Sequence, residues 1–288
     1  MNKSDRRISI QMSDSKNNPI GVFDSGVGGL TVAKQLIRYL PKEDIIYFGD
    51  TARVPYGTKS AKTVERFSVE NVLFLLRFKV KCIVVACNTS SSIALPLLKR
   101  SFRVPIIGVI EPGAREALSA TRNSRIGIIG TTATISSRAY ENELSRLAKA
   151  EFLEKHSGLK VIAQSCPLFV SLAEEGWLND TITKQVAQRY LAVFKNNKID
   201  TLILGCTHYP LLKDAIASVL GKAVALVDSA KQCAIETERV LYRDGLLNDK
   251  RAQGRLKFFV SDEPQKFVSL GKRFLGSSIT CIRRSDEL

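Results

Sequence analysis

Two short stretches carry the residue types best able to do chemistry. One is Ile83-Val84-Val85-Ala86-Cys87-Asn88-Thr89. The other is Thr201-Leu202-Ile203-Leu204-Gly205-Cys206-Thr207, followed by His208. Each is an unbroken apolar run closed by small and polar residues, the pattern of a strand buried on both faces in a parallel sheet. A helical pattern follows each. The cysteines therefore fall beyond the carboxyl ends of strands, where open α/β sheets bind ligands. They also fall near helix N-termini, whose partial positive charge favours thiolate. A cysteine that closes an apolar strand is more often a small core hydrophobe. Two of them, one in each half and each flanked by hydrogen-bonding residues that a core position does not need, point instead to paired reactive thiols facing one site.

Three chemistries use such residues. A hydrolase pairs one Cys with a His base, and Cys206-Thr207-His208 offers that, but Cys87 is then idle. A redox pair needs the two sulfurs to touch, and nothing in the sequence brings them together. Proton transfer at carbon is the third: inverting a stereocentre needs one base on each face, and two similar halves with one Cys each supply that geometry. A thiol of ordinary pKa about 8.5 then has to be tuned toward neutral by its neighbours. Asp24 and His208 are the candidate second groups.

The composition limits the alternatives. The six cysteines stand at positions 82, 87, 166, 206, 233 and 281, with no C-x-x-C pair, and there are only two histidines. That argues against a zinc site and for free thiols. No apolar run is long enough to span a membrane, and no signal core precedes residue 20, so a cytoplasmic protein is expected. The formal net charge is +15, but the basic residues are dispersed. A nucleic-acid partner would cluster them on one face, so small anionic metabolites are the expected partners.

The elements that position these residues alternate throughout. Ile20–Phe23 reads as a strand ending at Asp24-Ser25-Gly26, with a glycine-rich turn into a helix from about Leu30 to Leu40. The turn does not fit a dinucleotide fingerprint or a P-loop. It offers instead a carboxylate, a hydroxyl and backbone amides, which suit a small zwitterion. Ile45–Phe48 is a second strand, opening into the loop Gly49-Asp50-Thr51-Ala52-Arg53-Val54-Pro55-Tyr56-Gly57. A helix from about Thr63 to Phe78 precedes the Cys87 strand, and one from about Ser91, with Pro96 in its first turns, follows it. Pro105–Ile110 is a strand ending at Glu111-Pro112-Gly113.

The order then begins again. Arg125–Gly130 resembles the first strand and ends in the hydroxyl-rich turn Thr131-Thr132-Ala133-Thr134. Further expected elements are a helix over 137–148, a strand over 159–163, a short helix from Cys166 to Glu174, a helix over 181–195, the Cys206 strand, a helix over 211–220, and a strand over 224–227. The tail holds a helix, a strand over 256–260, a helix over 264–275 and a strand over 279–282. Alternating βα units imply parallel sheets. The fold class expected is α/β, with two pseudo-symmetric parallel-sheet domains and the site between them. Residues 1–19 read as a disordered extension, 20–110 plus 228–288 as domain one and 111–227 as domain two.

Taken together, Val22-Phe23-Asp24-Ser25-Gly26-Val27-Gly28-Gly29-Leu30, the Gly49–Gly57 loop, Val84-Val85-Ala86-Cys87-Asn88-Thr89 and Leu204-Gly205-Cys206-Thr207-His208-Tyr209-Pro210-Leu211-Leu212 resemble the glutamate racemases of the cofactor-independent aspartate/glutamate racemase superfamily. The resemblance runs from about Ile20 to Leu275. It implies that Cys87 is the base toward D-glutamate and Cys206 the base toward L-glutamate, assisted by Asp24 and His208. It implies substrate contacts from Asp24, Ser25, Pro55, Tyr56, Gly57, Asn88, Thr89, Thr134, Glu174, Thr207 and His208. It also implies no cofactor and no metal, a homodimer, and a product used in peptidoglycan. The family's Cys-Pro-x-Phe-Val-Pro run departs here at Ser171. An aspartate-type racemase on the same fold is the alternative.

Overall fold

The structure, a computed structural model, describes residues 15–151, 156, 158–279 and 282–287. In chain order the elements are β1 (Ile20–Asp24), α1 (Leu30–Tyr39), β2 (Ile45–Gly49), α2 (Ala61–Leu76), β3 (Cys82–Val85), α3 (Asn88–Ile93), α4 (Leu95–Ser101), β4 (Ile106–Gly108) and α5 (Ile110–Ala120). Next come β5 (Arg125–Gly130), α6 (Thr132–Ser136), α7 (Ala139–Glu151), β6 (Lys160–Ser165), α8 (Leu168–Glu175), α9 (Thr181–Asn197), β7 (Thr201–Gly205), α10 (Lys213–Leu220) and β8 (Ala225–Val227). The chain closes with α11 (Ser229–Arg243), β9 (Leu256–Val260), α12 (Pro264–Leu275) and β10 (Ile282–Arg284).

The strands form two sheets, ordered β10-β9-β2-β1-β3-β4 and β6-β5-β7-β8. Every pairing is parallel. The two halves share one plan: in each, the first strand lies between the second and third, and the fourth flanks the third. The repeat seen faintly in the sequence is thus a repeat of topology. Strand order reverses beside the first strand of each half. The carboxyl-end crevice at that reversal is where such sheets bind ligands.

Sheet one is buried on both faces, which explains its unbroken apolar runs. Val22 and Val84 enter one core layer, and Phe23, Ile83 and Val85 enter the other. The first layer continues into the second sheet through Ile126, Ile128 and Ile203. Helix α11 carries it, packing against both α1 and α5. The opposite face of sheet two is filled by Phe169, Leu191, Phe194 and Leu204. Among the described residues no helix is long and apolar enough to cross a membrane.

Several boundaries differ from the sequence expectation. Glu111-Pro112-Gly113 lies inside α5, not at a strand end. Proline is tolerated there because a helix's first N–H groups have no internal acceptor. The single helix expected after Cys87 is two, α3 and α4, with Pro96 in the first turn of the second. The helix expected over 137–148 is α7, over 139–151, and the turn expected at 131–134 opens a further short helix, α6, parted from α7 at Arg138, whose φ is 53°. The extension expected over residues 1–19 lies outside the described residues as far as residue 14.

Residues 15–19 end at a buried ion pair. The Lys81 ammonium sits 2.5 Å from Glu43 Oε2 with both side chains sealed from solvent. It also donates to the Lys16 carbonyl at 2.6 Å and the Leu246 carbonyl at 2.8 Å. Glu43 Oε1 accepts the Asn248 N–H at 2.8 Å. The ammonium thus gives two hydrogen bonds to carbonyls and its charge to the carboxylate, and three segments are tied beneath sheet one. Lys81→Met should cost about 3–5 kcal/mol in urea unfolding by leaving a buried carboxylate alone. Adding Glu43→Leu should recover most of that loss.

Candidate active site

The domain-one half of the site grows from the ends of β1 and β3. Asp24 is fully buried. Its Oδ2 accepts the Gly26 N–H at 3.0 Å, and its Oδ1 has no hydrogen-bond partner. Burial raises its pKa, against the opposing pull of His208 and of the Gly26, Gly29 and Ser25 backbone amides. The Tyr47 hydroxyl fixes the turn by donating to the Gly26 carbonyl at 2.8 Å. Cys87 is the N-cap of α3, its sulfur accepting the Ser90 N–H at 3.5 Å. The Ser25 hydroxyl lies 3.8 Å from that sulfur.

Helix-end charge was expected to lower the thiol's pKa, and here the expectation fails. Burial, with the Asp24 charge adding to it, pushes Cys87 up to about 12 despite the Ser90 and Ser25 bonds. Desolvation outweighs two weak sulfur hydrogen bonds. At neutral pH Cys87 is a thiol.

The domain-two half grows from β7. Cys206 does not cap a helix as Cys87 does: a short 3-10 turn, Tyr209–Leu212, with Pro210 at its start, stands between it and α10. Its polar neighbour is His208. Nδ1 of His208 lies 3.8 Å from the Cys206 sulfur and 3.4 Å from Thr207 Oγ1. Nε2 lies 2.9 Å from Glu174 Oε1 at the end of α8. Phe274 of α12 packs edge-on to the ring at 5.2 Å between centroids. Burial alone would lower the imidazole pKa, but the bonds to Cys206 and Glu174 prevail and raise it to about 10. Glu174 moves the other way, its burial outweighed by His208. Arg273 of α12 holds this corner, donating to the carbonyls of Ala173 at 3.2 Å and Glu174 at 2.6 Å.

The halves meet through small residues. A Cβ on Gly28 would lie 2.3 Å from Thr207 Oγ1 and 2.5 Å from His208 Nδ1, so only glycine fits. A Cβ on Gly57 would lie 2.6 Å from Thr131 Cβ. The Thr89 hydroxyl, from domain one, lies 2.9 Å from Thr131 Oγ1 and 3.2 Å from Thr134 Oγ1. Tyr140 of α7 donates to Asn88 Oδ1 at 2.7 Å.

Thus Asp24, Ser25 and Cys87 form one group, Cys206, Thr207, His208 and Glu174 a second, and Thr89 and Thr134 a third. Asn88 is engaged by Tyr140. Pro55 follows a cis peptide bond. The Tyr56 hydroxyl is turned away, donating to Asp50 Oδ2 and accepting from Asn71 Nδ2 at 3.1 Å. Sequence reasoning placed Thr131 in the hydroxyl-rich turn after the first strand of its half, the counterpart of Asp24-Ser25-Gly26, but did not count it among the site residues. It also missed Tyr140, in the first turn of α7, and Asn71, within α2, which carry no local signal.

The model of the Asp/Glu/Hydantoin racemase family matches residues 20–236. The glutamate racemase of Geobacter metallireducens is 49% identical over 260 residues, which cover 90% of this chain and 93% of that one. This chain belongs to the glutamate racemase family. Solved glutamate racemases share its fold. An isoform from Bacillus anthracis superposes with a TM-score of 0.86 at 41% identity, covering 93% of this chain and 97% of that one. The Francisella tularensis enzyme in complex with D-glutamate gives 0.84 at 40% identity, covering 95% and 100%.

Two outcomes follow for this glutamate racemase fold. Gly28→Ala should keep its circular dichroism spectrum but lose about a hundredfold in kcat/KM, because the Thr207-His208 corner must move by about 1 Å. The second concerns stability against pH. The His208 pKa is raised on folding, so its contribution is complete below about 6.5, declines as pH rises, and is gone above about 10. The stability gap between wild type and His208→Asn, measured by denaturant unfolding, should therefore shrink steadily from pH 6 to pH 10.

Proposed function

We propose that the enzyme interconverts L- and D-glutamate by two-base proton transfer, with Cys206 the base toward L-glutamate and Cys87 the base toward D-glutamate. The observation that carries this reading is the equivalent placement of the two cysteines. Each stands just past the third strand of its half, and each has its own polar neighbour, Ser25 for Cys87 and His208 for Cys206. Two groups entering a cleft from opposite halves suit inversion at carbon. A single nucleophile would need only one of them.

In the L-to-D direction the Cα–H bond breaks, its proton passes to the Cys206 sulfur, and the electron pair is delocalised into the α-carboxylate. Cys87 then delivers its S–H proton to the opposite face. A thiol held at about 12 is in the right state to donate. In the reverse direction Cys87 must first lose that proton, and we assign Asp24 as the acceptor. His208 exchanges a proton with Cys206, and Glu174 keeps the ring oriented. We assign the two carboxylates of the substrate to Ser25, Asn88, Thr89, Thr134 and Thr207 and to the Tyr56-Gly57 backbone. We assign the ammonium to the open oxygen of Asp24.

The division into domain one (20–110 plus 228–288) and domain two (111–227) is supported by the membership of the two sheets. A role in supplying D-glutamate to peptidoglycan, and a cytoplasmic homodimer, rest on family resemblance.

The test is proton NMR of L-glutamate with the enzyme in D2O, with circular dichroism of the amino acid in parallel. Early in the reaction, deuterium should appear at Cα of the D-product while the remaining L-substrate keeps its proton. Washout of label into unreacted substrate at the rate of inversion would indicate one base instead of two. Cys87→Ala and Cys206→Ala should each lose at least about a thousandfold in racemisation with the fold retained.

A further inference from the structure

We propose that Asp50 is a positioning residue, and that the Tyr56 hydroxyl is a latch binding the Val54–Gly57 loop to domain one, not a ligand of the substrate. This rests on the glutamate reading above, in which the Tyr56-Gly57 segment faces a substrate carboxylate. Asp50 follows β2 and is fully buried. Its Oδ1 accepts from Arg53 Nε at 2.9 Å and from the Ser261 hydroxyl at 3.0 Å. Its Oδ2 accepts from Arg53 Nε at 2.7 Å and from the Tyr56 hydroxyl. Three donors thus converge on this buried carboxylate, the single Arg53 Nε–H being shared between both oxygens, and all three hold it within domain one.

The same bonds spend Tyr56. Its hydroxyl gives its one proton to Asp50 and accepts from Asn71 Nδ2 at 3.1 Å. Asn71, on α2, also accepts from Arg53 Nη2 at 3.1 Å. The Arg53 guanidinium lies over the Phe67 ring at 4.2 Å, and the Tyr56 ring packs on Phe67 at 5.5 Å. The Arg53 and Tyr56 side chains are thereby drawn into domain one, so that at Tyr56 and Gly57 the chain offers the cleft its backbone. Gly57 stands directly against Thr131 of domain two. From the other side, the Ala52 N–H donates to Ser261 Oγ at 2.8 Å and the Asp262 N–H to Thr51 Oγ1 at 2.9 Å. The loop is anchored at both flanks, and Asp50 joins the two anchors.

A latch of this kind acts on binding more than on proton transfer. Asp50→Asn and Tyr56→Phe should each raise KM for both enantiomers by about tenfold, the worth of one hydrogen bond, with kcat within about twofold and its pH profile unchanged. The double variant should lose much less than the product of the two single losses, since both substitutions weaken the same contact. Hydrogen exchange at the amides of residues 56–58 should speed up by about tenfold in both variants while β1 and β3 stay protected. A large fall in kcat at unchanged KM would overturn the proposal. So would losses that multiply in the double variant, because Tyr56 would then touch the substrate itself, and so would unchanged exchange. If the wild type failed to racemise glutamate, the glutamate reading would fall, while the exchange measurement would still decide the latch.

Discussion

The site depends on one close approach, that of the Gly28 backbone to the side chains of Thr207 and His208. No other residue fits there, so the glycine turn after β1 sets how near the two sheets' carboxyl edges can come. The Thr31 hydroxyl reinforces the contact by reaching the carbonyls of Gly28 at 2.9 Å and Thr207 at 3.3 Å. Because this turn also holds Asp24 and Ser25, one backbone contact places the domain-one acid and hydroxyl against the domain-two imidazole. The turn's glycines serve proximity, and need not imply a phosphate.

The two halves repeat in topology but not in chemistry. Both third strands deliver a cysteine to the cleft, yet only Cys87 caps a helix and only Cys206 has an imidazole. The first strand ends in Asp24 on one side; on the other it ends in Gly130 and leads straight into Thr131. The result is a charge gradient across the cleft. A carboxyl and a thiol, both raised by burial, face an imidazolium held in place by Glu174. A reaction that inverts one carbon without a symmetric substrate requires such unequal walls, since the ammonium and two carboxylates must each find a different surface.

Much of this was legible in the sequence because parallel sheets write themselves as unbroken apolar runs. Ile83–Val85 and Leu202–Leu204 need no partner to be recognised as strands, and the polar residues that follow are fixed to the carboxyl edge by geometry alone. The Pro112-Gly113 pair misled because its turn signal competes with helix entry, where proline is equally at home. The Asp50 network stayed hidden for a different reason. It joins residues from three elements, and only the fold brings Ser261 to the Asp50 carboxylate and Asn71 to Tyr56 and Arg53, which that carboxylate also holds. The upward shift of Cys87 was also beyond reach, because spacing shows the helix end but not how completely the surrounding core excludes water.

That exclusion of water explains why the site is built from weakly paired groups. An ionised carboxylate stripped of solvent, given only backbone amides and left with no hydrogen-bond partner on Oδ1, is costly to the fold. Structural carboxylates in this chain are treated otherwise. Asp200, for example, collects the Thr121 and Thr201 hydroxyls and the Arg122 and Asn123 amides, and its pKa is lowered. Asp200 stands before the amino end of β7; Asp24, at the carboxyl end of β1 where the cleft lies, is left short. A cationic ligand group beside its open oxygen would relieve the deficit and favour its ionised form, so the loss of stability at Asp24 becomes affinity once the cleft is filled.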